Sequence, residues 1–366
     1  MKIALIAPHI FMWDKVLKDN IFAPGDQAIL LADGLVSRGN EVTLYSAGPV
    51  RTKARNVHID LQSIEEEVKK HGNLPELIKS DIETFRKLFK VIKLEILAMA
   101  FAQSEKFDIL HVYITNGHEG PIFSQGLKRP ILFTLHDSFK LNFPNPESYK
   151  LIKNVKFSAI SDNQRSQIPE LNIVGTVQNG IETDKFLYKG KPDKYFLSYG
   201  RIIKPKGVHH AINVCKKTGE NLKIAGLHYE GHGGDNYWST KVEPHIDQKQ
   251  ISYAGYIKGQ INKNKIFGKA KALLFPIEWE EPFGLVLLEA NACGTPVIAF
   301  NRGSVPEIIK NGINGFVVKN EKEMIEKMAI IDTIDRNKCR EYVEKNFTVE
   351  KMVDGYEKLY TRIIGS

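Results

Sequence analysis

The sequence predicts an α/β protein made of two doubly wound, parallel-sheet domains in tandem, and three observations carry that expectation. The chain has 366 residues, more than one compact core usually holds. Short runs rich in Val, Ile and Leu alternate with amphipathic helical stretches from end to end, the rhythm of parallel strands flanked by helices. Near the middle, Val177-Gln178-Asn179-Gly180-Ile181 carries an Asn-Gly turn signal, and a charged connector follows it as far as Lys194.

Taken in order, the expected strands of the first domain are Ile3 to Ala7, Val42 to Ser46, Ile109 to Tyr113, Ile131 to Leu135 and Phe157 to Ile160. Those of the second are Tyr195 to Tyr199, Leu222 to Ala225, Ile251 to Ala254, Ala272 to Phe275, Pro296 to Ala299 and Gly315 to Val318. The boundary places a first domain at residues 1–182 and a second at 183–349, and the 350–366 tail contains a final amphipathic helix, Lys351 to Ile364, that by topology folds back on the first domain. Glu76 to Gln103 reads as one long helical stretch bearing Lys79, Arg86, Lys87, Lys90 and Lys93, a face suited to solvent or to peripheral contact with an anionic membrane. Open sheets of this kind bind ligands beyond the carboxyl ends of their strands, so a site is expected at those loops, in a cleft shared by the two domains.

Composition narrows the class. Hydrophobic residues make up 42% and charged residues 26%, as in ordinary folded proteins. Cys215, Cys293 and Cys339 are few, odd in number and far apart, which suggests neither a disulfide framework nor a metal cage and fits reduced thiols in the cytoplasm. The run after Met1 is too short for a secretory signal, and no stretch reaches the length of a membrane span. A soluble protein, at most peripheral to the inner face of a membrane, is the expectation. Lys and Arg number 51 against 43 for Asp and Glu, a net charge of +8, which favours anionic partners without choosing among them.

The most informative stretch runs from Phe275 through Glu281-Pro282-Phe283-Gly284-Leu285 to Glu289 and Cys293-Gly294-Thr295-Pro296, and reads as strand, loop, helix, turn, strand. Pro282 suits a helix opening, and Gly284 leaves the backbone uncovered, so amides near Phe283, Gly284 and Leu285 can receive a phosphate or sugar oxygen. The spacing of Glu281 and Glu289 is about two helical turns, so one carboxylate can sit at the helix mouth and the other farther along the same face, as acceptors for donor hydroxyls. A bare pair of glutamates at this spacing is ordinarily a pair of solvated helix charges; the Pro-Phe-Gly and Cys-Gly-Thr-Pro context sets this one apart. At the end of the first strand of the second domain, Gly200-Arg201-Ile202-Ile203-Lys204-Pro205-Lys206-Gly207 offers Arg201 and Lys206 to neutralise a diphosphate. In the first domain, Phe133-Thr134-Leu135-His136-Asp137 puts a histidine at a strand end, with Asp137 able to cap the following turn.

On these residues the chain resembles the family 4 retaining glycosyltransferases, enzymes of the GT-B fold, most strongly from Asn179 to Val318 and over nearly its full length. The resemblance implies two Rossmann-like domains facing across a cleft, with an acceptor-side first domain and a nucleotide-sugar-binding second. It implies transfer of a sugar, with retention of configuration, from an NDP-sugar to a saccharide, lipid or small-molecule acceptor. UDP-glucose is the default donor. By similarity Glu281 contacts the donor sugar, Glu289 the ribose, Phe283, Gly284 and Leu285 lend amides, and Gly200, Arg201 and Lys206 hold the diphosphate. His136 approaches the anomeric region. No metal or other cofactor is expected. Relatives carry paired glycines at the first β-to-α turn, where this chain has Ala23-Pro24-Gly25-Asp26-Gln27, so Gly25 alone is left to approach donor or acceptor. Tyr237-Trp238 and Pro276-Ile277-Glu278-Trp279 resemble a subgroup that glycosylates polysaccharides and secondary metabolites, and Tyr253 to Tyr256 is placed to lie beside a base. Two other classes fit the same features: a sugar-nucleotide epimerase or hydrolase, and a non-catalytic binder of nucleotide sugars or nucleic acid. Nucleic acid is the partner least expected.

Overall fold

The computed structural model describes residues 1–14, 22–114, 119–137, 152, 155–167, 169–187, 191–228 and 236–365. The chain divides into two compact units, one formed by Met1–Gly180 with Val349–Ser366 and the other by Ile181–Thr348.

In the first unit, β1 (Lys2–Ile6), β2 (Glu41–Ser46), β3 (Arg55–His58), β4 (Ile109–Ile114), β5 (Ile131–Leu135), β6 (Lys156–Ala159) and β7 (Ile173–Thr176) form a sheet in the order β3-β2-β1-β4-β5-β6-β7. Each pairing is parallel. The central strands are apolar at successive positions, Ile3, Ala4, Leu5 and Ile6 all being fully buried, because helices cover both faces. The described helices of this unit before the second begins are α1 (Ala23–Ser37), α2 (Gln62–Lys70), α3 (Leu74–Ser80), α4 (Ile82–Phe101), α5 (Glu119–Phe123) and α6 (Asp162–Ser166).

The second unit carries β8 (Phe196–Tyr199), β9 (Leu222–Ala225), β10 (Ile251–Tyr253), β11 (Leu273–Phe275), β12 (Val297–Phe300) and β13 (Gly315–Val318), in the order β10-β9-β8-β11-β12-β13. Around this parallel sheet lie α7 (Val208–Thr218), α8 (Gln260–Gly268), α9 (Leu285–Ala292), α10 (Val305–Ile308), α11 (Glu321–Met328) and α12 (Arg336–Asn346). The Cys-Gly-Thr-Pro turn between α9 and β12 is held by a buried amide pair: Asn291 donates to the carbonyls of Thr295 and Asn314, and the Asn314 amide donates back to Asn291 Oδ1 at 2.8 Å.

The last helix, α13 (Val349–Ile364), is part of the first unit. Its apolar face, with Val353, Tyr356 and Tyr360, joins the core formed by Leu31 and Leu35 of α1 and Ile3 and Leu5 of β1. Arg38 binds both Asp354 and Glu357 at its rim. In the middle of this core His111, fully buried, meets Tyr360 Oη at 2.5 Å through Nδ1 and Thr134 Oγ1 at 2.7 Å through Nε2.

Three expectations are corrected. The stretch Glu76 to Gln103 is not one helix, because the Asp81 side chain accepts from Thr84 N–H and Oγ1–H and so caps a new helix there. Its basic face is also smaller than the sequence suggests: the Lys93 side chain is only 7% exposed and pairs with Glu119 at 2.7 Å, while Arg86, Lys87 and Lys90 are exposed and the Lys79 side chain lies outside the described residues. The edge strands β3 and β7 have no counterpart among the expected strands. No described helix is long and apolar enough to cross a membrane. Cys215, Cys293 and Cys339 are separate, buried thiols, and burial pushes each up to about 12.

Burial holds His136 neutral down to about 3 and His111 well below its ordinary range. Both bind protons more readily unfolded than folded, so the unfolded chain gains protons first as pH falls from about 6.5 toward about 3. Stability is therefore expected to drop with acidification across that window, by up to about 1.4 kcal/mol per pH unit for each histidine. Urea titrations at pH 7 and pH 5 check this. His111→Asn should flatten the pH dependence, and an unchanged slope in that variant would remove His111 as its source.

Candidate functional site

In the second unit the strand order reverses between β8 and β11, the place where open α/β sheets receive ligands beyond their carboxyl ends. The two loops leaving those strands supply most of the charged residues singled out from the sequence. After β8 come Gly200, Arg201 and a short turn, Lys204–Lys206; after β11 come Pro276 to Glu281. Gly200, Arg201, Lys206, Leu274 and Phe275 line a small hollow between them.

Lys206 and Glu281, 75 positions apart, form the centre of this arrangement. Lys206 Nζ donates to Glu281 Oε2 at 2.6 Å, and Trp279 Nε1 donates to the same oxygen at 2.7 Å. The side chains of the ion pair are only 16% and 10% exposed. The ammonium also lies 4.8 Å from the Trp279 ring centre and 5.2 Å from that of Phe275, so two aromatic faces and one carboxylate hold it. Arg201, exposed, lies 5.9 Å from the Trp279 ring centre. Two cations thus share one indole at the switch point. Trp279, read from sequence only as an aromatic of open role, is the residue that joins them.

The backbone fixes these loops to each other. Glu278 N–H donates to Pro205 O at 2.9 Å. Gly207 takes φ +65°, and a Cβ there would lie 1.9 Å from Pro276 O, so only glycine permits the approach. From the far side, the loop after β12 supports Glu281: Ser304 N–H donates to Glu281 O at 3.0 Å, and Ser304 Oγ–H to Phe283 O at 2.6 Å. Ser304 was not among the residues expected from sequence; its signal is its place at a strand end, in Arg302-Gly303-Ser304.

Pro282 is not a helix opener here. It is buried in the turn, and α9 begins at Leu285, with Gly284 in the left-handed region (φ +87°) as its N-cap and no side chain capping it. Leu287 N–H closes the first turn on Gly284 O at 2.9 Å, so the amides that can meet solvent or a ligand oxygen are those of Leu285 and Val286. Glu281, four residues ahead of Leu285, is off the helix, which corrects the reading that put it on one helical face with Glu289. Glu289 sits on α9 and pairs with Lys263 of α8 at 2.5 Å, a partner the sequence analysis did not name. The amide of Gly200 is used by the sheet, donating to Ala225 O at 3.0 Å.

In the first unit, His136 follows β5 and stacks on Tyr113 with ring centres 4.6 Å apart. It is 8% exposed, its Nε2 has no hydrogen-bond partner among the described residues, and it is neutral at physiological pH. It can accept or donate a hydrogen bond but offers no cation. Gln164, fully buried, sets this segment by donating to the carbonyls of Leu135 at 3.1 Å and Asp137 at 2.7 Å. Gly25 lies in the first turn of α1, not in an open loop; its N–H donates to Phe22 O, and a Cβ would meet Met12 and Phe22 at 2.6 Å. Packing accounts for that glycine, and its amide is already used. Gln27, two residues on, grips Gly180 through both its amide atoms. His9, three residues past the end of β1, stacks on Phe22 at 4.1 Å and is likewise neutral; its place in the loop after the first strand is the sequence signal for it. Tyr237 and Trp238 are buried, Trp238 lying between His228 at 4.3 Å and Tyr253 at 4.7 Å, which makes them packing residues of the second core.

Residues 181–347, the second unit but for its last residue, match the model of the glycosyl transferases group 1. The capsular polysaccharide biosynthesis glycosyltransferase CapM of Staphylococcus aureus is 26% identical, over 86% of this chain and 92% of its own. Among solved structures, sucrose-phosphate synthase of Thermosynechococcus elongatus matches with a TM-score of 0.74 at 16% identity, covering 100% of this chain and 99% of that one. HepE of Anabaena, in complex with UDP, matches with a TM-score of 0.67 at 15% identity, covering 99% of this chain and 100% of that one. These likenesses show the fold, two parallel-sheet Rossmann-like domains of the GT-B kind.

Proposed function

We propose that this chain, whose residues 181–347 match the model of the glycosyl transferases group 1, is a glycosyltransferase that moves a sugar from a nucleotide diphosphate donor, UDP-linked by preference, to a saccharide, lipid or small-molecule acceptor with retention of configuration. The observation that carries the reading is the Lys206–Glu281 pair at the switch point between β8 and β11, with Arg201 beside it. A nucleotide diphosphate leaving group needs fixed positive charge as the sugar departs; half-buried Lys206 supplies it from a preorganised position, and exposed Arg201 adds a second cation. The uncapped N-terminus of α9 adds amides for a phosphate or sugar oxygen. Glu281 and Glu289 accept from hydroxyls of the sugar and the ribose, each exchanging a present partner, Lys206 or Lys263, for the donor. His136, neutral and at the end of β5 in the first unit, offers a ring nitrogen that can hydrogen-bond to a sugar hydroxyl.

In the proposed chemistry the bond from the anomeric carbon to the diphosphate oxygen breaks while the acceptor hydroxyl attacks the same face. The acceptor proton passes to the departing phosphate oxygen. The UDP-bound Anabaena neighbour supports a nucleotide-linked donor, and the Staphylococcus relative supports a saccharide among the acceptors.

A thermal-shift panel of UDP-, GDP-, ADP- and TDP-sugars tests the donor class without knowledge of the acceptor. At least one nucleotide series should raise Tm in a saturable way; a flat response to all four would remove the donor assignment. Glu281→Gln is expected to blur discrimination among sugars of one nucleotide series while leaving affinity for the free nucleotide diphosphate near the parent value. Unchanged sugar preference in that variant would take Glu281 out of the sugar subsite.

A further inference from the structure

Helix α7 opens with two adjacent histidines, His209 and His210, whose ring centres are 4.0 Å apart. One ligand atom from each, with a carboxylate oxygen of Glu278, lies in a group whose members are all within 4.8 Å of one another. His210 Nε2 and Glu278 Oε1 are 3.6 Å apart, too far for a hydrogen bond. That separation is close to the roughly 3.4 Å between two ligands of a tetrahedral ion with bonds of about 2.0–2.1 Å.

The far side of each ring is already held. His210 Nδ1 lies 2.8 Å from Glu321 Oε1, and a carboxylate kept in place by Lys217 at 2.8 Å and Asn213 at 3.0 Å can only accept. The Nδ1 proton therefore points at Glu321, and Nε2 is the nitrogen that faces Glu278 Oε1. His209 Nδ1 is 2.9 Å from Tyr237 Oη. A histidine oriented by an outer carboxylate, with its other nitrogen turned to a neighbouring ligand, is the usual surrounding of a protein-bound transition metal. Glu278 is held too, since its own N–H donates to Pro205 O.

We propose that His209, His210 and Glu278 form a binding site for one divalent transition-metal ion of the zinc class, with water completing the coordination. Two imidazoles and one carboxylate suit zinc, cobalt or nickel, whereas magnesium and calcium prefer oxygen ligands alone. The half-exposed Glu278 side chain leaves the site open to ions from solvent. The ion ties the start of α7, three residues beyond Lys206, to the loop that carries Trp279 and Glu281, and so braces the two loops at the switch point. This role is separate from neutralising a leaving group, and the site can be tested with no sugar donor present.

The experiment is a titration of Co²⁺, followed by displacement with Zn²⁺, into untagged full-length protein freed of metal with a chelator. One equivalent is expected to bind, with the visible absorption of low-coordinate Co²⁺, and Zn²⁺ should abolish that spectrum and raise Tm. Glu278→Gln and His210→Ala should each weaken binding by at least about 100-fold, and Glu321→Gln by about 10- to 100-fold through loss of the outer hydrogen bond. His245→Ala, a substitution at a histidine outside the trio, should bind as the parent does. The surface position of Glu278 keeps the test valid if His210→Ala fails to fold. Absence of a saturable one-equivalent spectrum, or parent-like affinity in Glu278→Gln, overturns the proposal.

Discussion

Lys206→Ala is expected to lower kcat/KM for the sugar donor by about 100-fold or more, the scale of losing one preorganised charge-stabilising group. Part of the reason lies in what the ammonium touches: a carboxylate and two aromatic faces in a half-buried setting, where a fixed charge acts with little screening by water. Truncation also leaves Glu281 buried with Trp279 Nε1 as its remaining side-chain donor among the described residues. Breaking a buried pair from one side costs on the order of 3–5 kcal/mol. Loss of activity and loss of stability are therefore entangled in the single variant, and the double variant Lys206→Ala/Glu281→Gln separates them. If the lysine serves only the fold, neutralising its partner should recover urea stability and bring turnover back to that of Glu281→Gln alone. If the charge serves the leaving group, stability should recover and turnover should not. Near-normal rates in the single variant would end the assignment of Lys206 to the diphosphate.

Gly207→Ala is expected to cost about 2–4 kcal/mol of stability. Two penalties combine: alanine at φ +65° is strained, and its Cβ would stand 1.9 Å from Pro276 O. Gly219 isolates the first penalty, since it has φ +72° and no atom within 4 Å of a built Cβ. Gly219→Ala should cost only about 1–2 kcal/mol, the price of left-handed backbone alone. The excess in Gly207→Ala measures the close approach of the two loops, and donor affinity should fall with it. Equal destabilisation of the two variants would show that no such approach exists in solution.

The parallel sheets were readable because strands buried on both faces have to be apolar throughout, as Ile3 to Ile6 are. The edge strands were not. β3 is Arg-Asn-Val-His and β7 is Ile-Val-Gly-Thr, short and partly exposed, so neither shows a continuous apolar run. The candidate site was legible as a set of residue types but not as a set of contacts. Lys206 and Glu281 meet only because β8 and β11 are neighbours in the sheet, and strand order is set by long-range topology that spacing along the chain does not report. The helical-face argument for Glu281 and Glu289 failed for a local reason. Gly284 adopts a backbone conformation that postpones the helix to Leu285, and each glutamate then finds its own lysine. Gly25 shows the opposite error, a glycine whose small size serves packing against Met12 and Phe22.

The return of α13 to the first unit has a consequence for how the chain comes into being. The second unit is an insertion, its two ends lying side by side through a parallel bridge between Ile181 and Thr348. Everything it needs is in one continuous segment, so it can complete its fold during synthesis and can be moved between relatives as a cassette cut at those two positions. The first unit cannot. Its core lacks Tyr356 and Tyr360 until the last residues are made, so the half that begins first must finish last and spends the interval with the α1 side of its sheet uncovered. A ribosome stalled before Val349 would hold one finished domain and one waiting for its lid.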